Sequence, residues 1–520
     1  MIEKQQKKST SIQVALNTGV LYARMLISMG ISFYSVRLVL NALGAADFGL
    51  FNLITGVIAM FAFLNAAMTT STQRYLSFYQ GAGDLGMQVK VFANSWILHI
   101  IIGLIIVIVL LALSPFFFDG FLNIPIDRVS TAKSIYYFLA ASMFFTVVTV
   151  PFTALLNAHE NMLWLAVVMI IESFLKLVVA FSLTWFAEED RLFFYGFLMV
   201  GVTIVSFVLY AIFCFKKYKE CSIRRFAVDK VLLKELGSFA GWNLFANICY
   251  VLNTQGINVL LNVFFGIMVN AAYGIANQVN GQVRGLSFTL LQALNPQIMK
   301  SEGMNNRQRT LTTAMWATKL GFFLVSFFAI PLIFQMPVVL KFWLKNVPEN
   351  TDVFCSLFLI ATLINQLTVG ITPAIQAMGN IKKFQITIGS VALLTLPICY
   401  LSLKYGGMST TFVFVVIVTV EIITGFLKIV ILKKQSGVPI SEYLKSVIKM
   451  VIPICITCAL VYLATNWIQH SGIRFVLTLA ISFILFPVVF YFIGLETVEK
   501  NQIVVLMQRL LPGNKKSNTR

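Results

Sequence analysis

The sequence predicts an all-α polytopic membrane protein with about 14 transmembrane helices. Two observations lead to this fold class: hydrophobic residues make up 58% of the 520 residues, and they gather in stretches of about 20 separated by short polar connectors. A hydrocarbon core about 30 Å thick needs roughly 20 helical residues to cross it. With only 11% charged residues, the chain is too apolar for a water-soluble protein.

The predicted spans follow one another with little sequence between them. In the first half they lie at 12–36, 48–68, 91–113, 134–156, 163–186, 192–215 and 236–261. In the second half they lie at 271–294, 311–336, 353–377, 385–403, 411–432, 447–466 and 475–495. The connectors are too short to hold a further folded domain, so functional residues are expected within the spans or close to their ends.

Lysine and arginine are distributed unequally between the two sides of the membrane. The amino-terminal tail, the even-numbered connectors and the carboxy-terminal tail carry 25 basic residues, against 8 in the odd-numbered connectors. Basic residues concentrate on the cytoplasmic side, so both termini are predicted to be cytoplasmic. The net charge of +19 then reflects topology and contact with anionic membrane lipids, and no nucleic acid is implied.

An internal repeat indicates two similar halves. Span two begins with the frame aromatic-Gly-x-x-Asn-x-x-x-Gly at 48–56, and span eight begins with the same frame at 273–281. The segment 149–161 also matches the segment 368–380 without gaps, with five identities in thirteen positions. Copies six spans apart face the same way, which predicts two parallel six-helix lobes followed by two appended helices.

The repeat and the charge pattern together set the expected domain limits. They are an N-terminal lobe at 1–215, a basic cytoplasmic linker at 216–235, a C-terminal lobe at 236–432, an appended helix pair at 433–495 and a cytoplasmic tail at 496–520.

Two arginines are predicted near the middle of the membrane. Arg24 lies ten residues after Val14, about 15 Å along span one, and Arg284 lies near the centre of span eight. A charge at this depth costs about 2.5–3.5 kcal/mol even on a mild insertion scale, so such residues are functional by default. The alternative is an arginine that neighbouring carbonyl groups satisfy and that serves only packing.

Asparagines add polar faces around these arginines. In span seven, polar residues recur every three or four positions, at Asn243, Asn247, Tyr250, Thr254, Asn258 and Asn262. Such a face either lines a hydrated cavity for a polar substrate or joins helices through hydrogen bonds, and the sequence leaves both open. The candidate substrate-binding residues are Arg24, Arg284, Asn247, Asn258, Asn277, Asn280 and Lys319.

Two carboxylates are candidates for coupling transport to H⁺ or Na⁺. Glu421 lies at the middle of span twelve, and Glu172 lies in span five. Glu172 is four residues before Lys176 on one helix face, so mutual neutralisation is the simpler interpretation there. A structural ion pair is equally compatible with Glu421. Lys428 and Lys449 lie near predicted cytoplasmic ends and are expected to extend their ammonium groups to the interface.

No motif predicts an enzyme. The sequence lacks a Walker-type phosphate-binding loop, and its three histidines are scattered, so neither a cofactor nor a metal site is expected. A membrane polymerase or ligase remains an alternative, but such an enzyme would need a long outward loop. The longest outward connector, 114–133, has only twenty residues and is rich in phenylalanine.

The amino-terminal region resembles a known family. The runs RMLIS at 24–28, RLVLNALGAADFG at 37–49 and STQRYLS at 71–77 are similar to Wzx-like polysaccharide flippases of the multidrug/oligosaccharidyl-lipid/polysaccharide (MOP) exporter superfamily. The resemblance implies a protein of the bacterial inner membrane. It would move an undecaprenyl-pyrophosphate-linked oligosaccharide between leaflets for O-antigen (lipopolysaccharide), capsule or exopolysaccharide assembly. A polysaccharide polymerase and other assembly proteins are the implied partners.

A cation-coupled multidrug exporter of the same superfamily is the second transporter interpretation. Such exporters select lipophilic cations with acidic cavities, whereas the predicted spans here contain six basic residues and two acidic ones. The excess of positive charge favours an anionic cargo. In that case Arg24 from one lobe and Arg284 from the other would hold a single pyrophosphate during alternating access. A lipid-linked peptidoglycan precursor would satisfy the same electrostatics.

Overall fold

The computed structural model describes residues 2–59, 61–118, 124–188, 190–221, 228–344, 346–468, 470–497, 499–501 and 504. Over these residues the chain forms sixteen α-helices and no β-strand, which confirms the all-α fold class. Part of the predicted basic linker, with Arg224 and Arg225, and most of the predicted tail at 496–520 lie outside the described residues.

The helices follow the apolar stretches of the sequence. Those of the first half are α1 Ile2–Ala59, α2 Ala62–Gly81, α3 Leu85–Phe116, α4 Val129–Ala158, α5 Met162–Ser182, α6 Arg191–Lys217, α7 Lys230–Phe265 and α8 Ile267–Gly303. Those of the second half are α9 Arg307–Trp343, α10 Thr351–Gln366, α11 Ile371–Met378, α12 Lys382–Leu393, α13 Thr395–Gly406, α14 Thr410–Ser436, α15 Ile440–Thr465 and α16 Ser471–Val489.

Helix covers most of each of the fourteen predicted spans, and most of the spans are apolar enough to cross a membrane. Eleven described helices are long and apolar enough to cross a bilayer, and the pair α10 and α11, bent by 41°, makes twelve. The two remaining predicted spans, 48–68 and 271–294, hold corresponding positions in the repeat. The first is divided between α1 and α2, so its apolar helical part, Ala46–Ile58, is too short to count. In the second, polar residues such as Asn277, Asn280 and Arg284 lower the hydropathy. Composition by itself therefore supports eleven or twelve spans within the described residues.

A glycine with positive φ bends the chain before each copy of the repeated frame. Gly44 interrupts α1 with φ 77°, and Gly266 separates α7 from α8 with φ 82°. Glycine adopts this backbone conformation without the steric cost that a Cβ atom would add. The second repeat match has a similar correspondence: its aligned positions Glu160 and Gly379 both have positive φ, at 57° and 90°.

The chain divides into two compact units. The first unit comprises Leu16–Asn247 and Met299–Asn306, and the second comprises Ile248–Ile298, Arg307–Arg520 and the amino-terminal segment Met1–Ala15. These limits do not test the predicted lobe boundaries, which stay a prediction.

Each unit has an apolar core of its own. In the first unit, buried residues from α1, α3 and α4, including Ile54, Leu110 and Tyr136, pack together. In the second unit, α7 to α10 and α14 bury a larger cluster around Phe354 and Phe414. Burial of apolar side chains fixes the helices of each unit and thereby positions their few charged residues.

Candidate functional site

In the first unit, Arg24 is a cation without a carboxylate partner among the residues that the structure describes. It lies on α1, where its Nη1 contacts the sulfur of Met169 on α5. Its Nε is buried and has no hydrogen-bond acceptor. One turn further along α1, Ser28 accepts a hydrogen bond from the Ser173 hydroxyl at 3.1 Å. No ion pair forms at Arg24 within the described part of the chain, so its charge is not neutralised there.

Glu172 belongs to the same unit but is already paired. Its Oε1 accepts a hydrogen bond from the Lys176 ammonium at 2.7 Å, and its Oε2 is 3.4 Å from the Ser206 hydroxyl on α6. The two charges neutralise each other on one face of α5, as the i, i+4 spacing allows. A coupling role for Glu172 stays a prediction.

In the second unit, Arg284 contacts an aromatic ring and no carboxylate. Its Nη1 is 3.4 Å from the Tyr250 hydroxyl, and its guanidinium carbon is 5.8 Å from the centre of that ring. No ion pair to Arg284 forms in the described residues. Tyr250 lies on the polar face that the sequence indicated for span seven, so α7 and α8 place these two residues together.

Hydrogen bonds connect α8 to α10 on either side of Arg284. The Thr362 hydroxyl donates to Asn280 Oδ1 at 2.5 Å, and the Ser287 hydroxyl donates to Gln366 Oε1 at 2.6 Å. All four side chains are largely buried. The bonds make α8 and α10 a rigid support for the arginine between them.

The remaining candidate residues have different surroundings. Glu421 on α14 accepts a hydrogen bond from Asn365 Nδ2 at 3.0 Å. Asn277 is half-buried on α8. Asn258 is half-buried on α7. Asn247, also on α7, falls at the edge of the first unit. Whether these residues serve one ligand together with Arg24 stays a prediction.

Lys319 is neutralised inside the second unit. Its ammonium lies 2.8 Å and 2.9 Å from the two carboxylate oxygens of Glu499, and the Lys319 side chain is only 1% exposed. Glu496 lies further away, at 3.9 Å. This pairing accounts for the charge of Lys319, and its role in substrate binding stays a prediction. No pattern in the sequence indicates the partner, since Glu499 is 180 residues further along the chain.

The expectation that Lys428 reaches the membrane interface is wrong. The residue is only 8% exposed, and its charge interacts with Glu421 and Arg284 in the second unit. The physical reason is that Lys428 lies on the packed face of α14, together with the buried residues Thr424, Gly425 and Leu432. Glu421 and Lys428 are seven residues apart and therefore lie on one face of α14. This spacing could be read from the sequence.

The charged and amide groups of these helices have the chemistry of anion recognition. The geometry offers two arginines without carboxylate partners, a buried lysine and several amide side chains. Such groups bind phosphate or carboxylate and hydrogen-bond to hydroxyl groups. In the described part of the chain, no group of three histidine, cysteine, aspartate or glutamate side chains lies close enough to hold a metal ion.

The protein has the fold of MOP-superfamily transporters. A multidrug resistance MATE family transporter of this superfamily, in its outward-facing conformation, has a TM-score of 0.71 and 15% identity, with 84% of this chain and 96% of that chain covered. A MOP-superfamily transporter from Pyrococcus furiosus with reversed binding-pocket polarity has a TM-score of 0.70 and 15% identity, covering 84% and 97%. A MATE protein in a straight conformation has a TM-score of 0.70 and 15% identity, covering 83% and 96%.

Within this class, the chain belongs to the polysaccharide biosynthesis protein family. The sequence profile of that family matches residues 14–302, more than half of the chain. The resemblance to the polysaccharide exporters of the superfamily is thereby confirmed at the level of the family. No curated protein matches the sequence significantly.

Proposed function

We propose that the protein is a flippase that moves an undecaprenyl-pyrophosphate-linked oligosaccharide across the bacterial inner membrane for surface polysaccharide assembly. The observation that carries the proposal is the state of the spanning arginines. Arg24 and Arg284 have no carboxylate partner within the described residues, although both lie in helices of a membrane protein. An uncompensated charge in this environment is costly, and an anionic ligand would remove the cost.

A diphosphate fits two unpaired arginines better than a neutral sugar does, because it carries a charged group for each of them. A guanidinium group binds phosphate oxygens through two parallel N–H···O bonds, which favours Arg over Lys at such a position. In the proposed cycle Arg24 and Arg284 are the cationic residues that bind the diphosphate. The asparagines of α7 and α8 contact sugar hydroxyls, while the polyprenyl chain stays in lipid. Alternating access then exposes the headgroup first to the cytoplasm and afterwards to the outside.

A cation-coupled multidrug exporter is the second candidate. One observation favours it: Glu421 is a carboxylate inside the second unit, and the group that hydrogen-bonds to it is the neutral amide of Asn365. Such a carboxylate could take up H⁺ or Na⁺, or attract a cationic drug. Proteins of similar fold include both a multidrug transporter and one with a pocket of reversed polarity. The sign of the unpaired charges supports the flippase.

The decisive experiment combines deletion with complementation. Deleting the gene should cause one lipid-linked oligosaccharide to accumulate in the cytoplasmic leaflet, and the wild-type gene should reverse this. We expect Arg24→Ala and Arg284→Ala each to leave the accumulation in place at normal protein level, and lysine at either position to restore export only in part. Arg37→Ala, which changes an exposed arginine on α1, is the matched control and should restore export.

Full export by an Arg24→Ala/Arg284→Ala double variant would overturn the proposal. So would a deletion strain that accumulates no lipid-linked sugar but becomes sensitive to lipophilic cationic drugs, because that phenotype belongs to the multidrug exporter.

The membrane orientation belongs to the same proposal. Because 25 basic residues lie on one side and 8 on the other, we propose that both termini are cytoplasmic. The flippase function also implies a polysaccharide polymerase that acts on the exported product. A reporter enzyme that is active only outside the cytoplasmic membrane, fused after Arg520, should be inactive. Activity of that fusion would reverse the orientation without affecting the argument from the unpaired arginines.

A further inference from the structure

Helix α14 places a lysine and a carboxylate on one buried face. Glu421 and Lys428 are seven residues apart, which is two helical turns or about 10.5 Å along the axis. No ion pair between these two side chains is present among the described residues, in keeping with this separation. The two charges therefore influence each other without neutralising each other completely.

Lys428 has no hydrogen-bonding or ion-pairing partner among the described residues, although it is only 8% exposed. The other lysines of the spans differ in this respect. Lys319 is bound by Glu499 at 2.8 Å, and Lys176 is bound by Glu172 at 2.7 Å. A buried ammonium group without a partner costs several kcal/mol relative to water, so its retention needs an explanation other than packing.

The surroundings of Lys428 explain what could neutralise it. Arg284 on α8 lies between two hydrogen bonds that join α8 to α10, one between Asn280 and Thr362 and one between Ser287 and Gln366. Glu421 is itself held by the amide of Asn365. Asn365 is next to Gln366 on α10, so Arg284 and the face of α14 with Glu421 and Lys428 lie around the same part of α10. An anion with two charged groups would neutralise both cations.

We propose that Lys428 is a binding residue for the anionic headgroup, acting with Arg284 on the same diphosphate, and that Glu421 is the internal counter-charge which the diphosphate replaces. The inference rests on the proposed function and extends it, because it assigns a third cation and a competing carboxylate to the site. Arg284 provides bidentate geometry, whereas Lys428 provides a compact charge with three donors.

The inference predicts effects of opposite sign from two neighbouring residues. Replacing Lys428 with glutamine removes an attractive charge, so the diphosphate should bind more weakly. Replacing Glu421 with glutamine removes a competitor at nearly constant shape, so the diphosphate should bind more tightly. A merely structural role for the two residues would weaken binding in both variants or change it in neither.

The test is calorimetric titration of the purified full-length protein in lipid nanodiscs. Inorganic pyrophosphate probes the headgroup alone, and farnesyl pyrophosphate probes a headgroup that carries a prenyl chain. We expect Lys428→Gln to weaken the binding of both probes by about tenfold or more and Glu421→Gln to strengthen it by about threefold to tenfold. The matched control is Lys449→Gln, a half-exposed lysine 3.5 Å from Glu496, which should bind both probes as the wild type does.

Thermal unfolding of each variant shows whether it is folded. Wild-type affinity in a folded Lys428→Gln variant, or weaker binding in Glu421→Gln, would overturn the inference. If the arginine variants still abolish export in that case, the proposed flippase function stands without it. If the wild-type protein binds neither probe and its deletion causes no lipid-linked sugar to accumulate, both the inference and the proposed function fail.

Discussion

The two units differ in how the charged residues of their membrane helices are paired. In the first unit, the pair of Lys176 and Glu172 is local: both belong to α5, and both are partly exposed, at 44% and 31%. In the second unit, Lys319 is paired with Glu499, which is distant in sequence, and the pair is almost completely buried. Each unit also contains an arginine without a carboxylate. The comparison shows that pairing, and not position in a span alone, separates structural charges from candidate binding charges.

The largest expected effect on stability is in the buried pair of the second unit. Lys319→Met should reduce the free energy of unfolding by about 3–5 kcal/mol, because it leaves the Glu499 carboxylate buried and unpaired. The double variant Lys319→Met/Glu499→Gln should recover much of this loss. Thermal unfolding in detergent measures both. Equal destabilisation by the single and double variants would show that the pair is not what stabilises this region.

Tight helix packing provides the next test, since each unit brings two backbones together at a glycine. A methyl group at Gly303 would overlap the Phe78 carbonyl in the first unit, and one at Gly370 would overlap the Ala314 carbonyl in the second. Each Gly→Ala change should cost about 1–3 kcal/mol through overpacking. Gly281→Ala is the control, because nothing lies within 4 Å of its added Cβ. Unchanged melting of the Gly303 and Gly370 variants would mean that these helices separate easily.

A carboxylate just after the end of α6 should make the first unit sensitive to acid. Burial tends to raise the pKa of Glu220, but the hydrogen bond with His159 Nε2 at 2.9 Å and a backbone hydrogen bond outweigh it, so the pKa is lowered. The contribution of Glu220 to stability is therefore present above the ordinary pKa of about 4.3 and is lost as pH falls through the lower folded value. Melting curves between about pH 5 and pH 3 should drop more steeply for the wild type than for Glu220→Gln. Parallel curves would exclude this contribution.

The smallest effect is expected from the exposed pair in the first unit. Separate Glu172→Gln and Lys176→Gln variants should lose only about 0.3–0.5 kcal/mol, because solvent weakens an i, i+4 pair at the surface of one helix. Export should stay normal in both. Loss of export in Glu172→Gln at normal protein level would instead support a role of Glu172 in coupling. Each unit would then contain a candidate coupling carboxylate.

The sequence was sufficient for the class of fold because the signal is local. A run of apolar residues long enough to cross a bilayer can only satisfy its backbone as a helix, so the helices could be placed from hydropathy alone. The repeat was equally readable, and its aligned positions Glu160 and Gly379 do share a positive φ. Hydropathy is weakest as a guide at the second copy of the frame, 273–281, because the polar residues of α8 dilute the apolar signal of the helix.

What the sequence by itself determined is thus the set of membrane helices, the excess of positive charge within them and the candidate residues Arg24 and Arg284. The tertiary structure decided which charges are neutralised. Lys319 finds its partner 180 residues away, and Lys428, expected at the interface, is buried near Arg284 and Glu421. The physical reason is that hydropathy and helical spacing act within one helix, whereas the pairing of buried charges depends on contacts between helices that are distant in sequence.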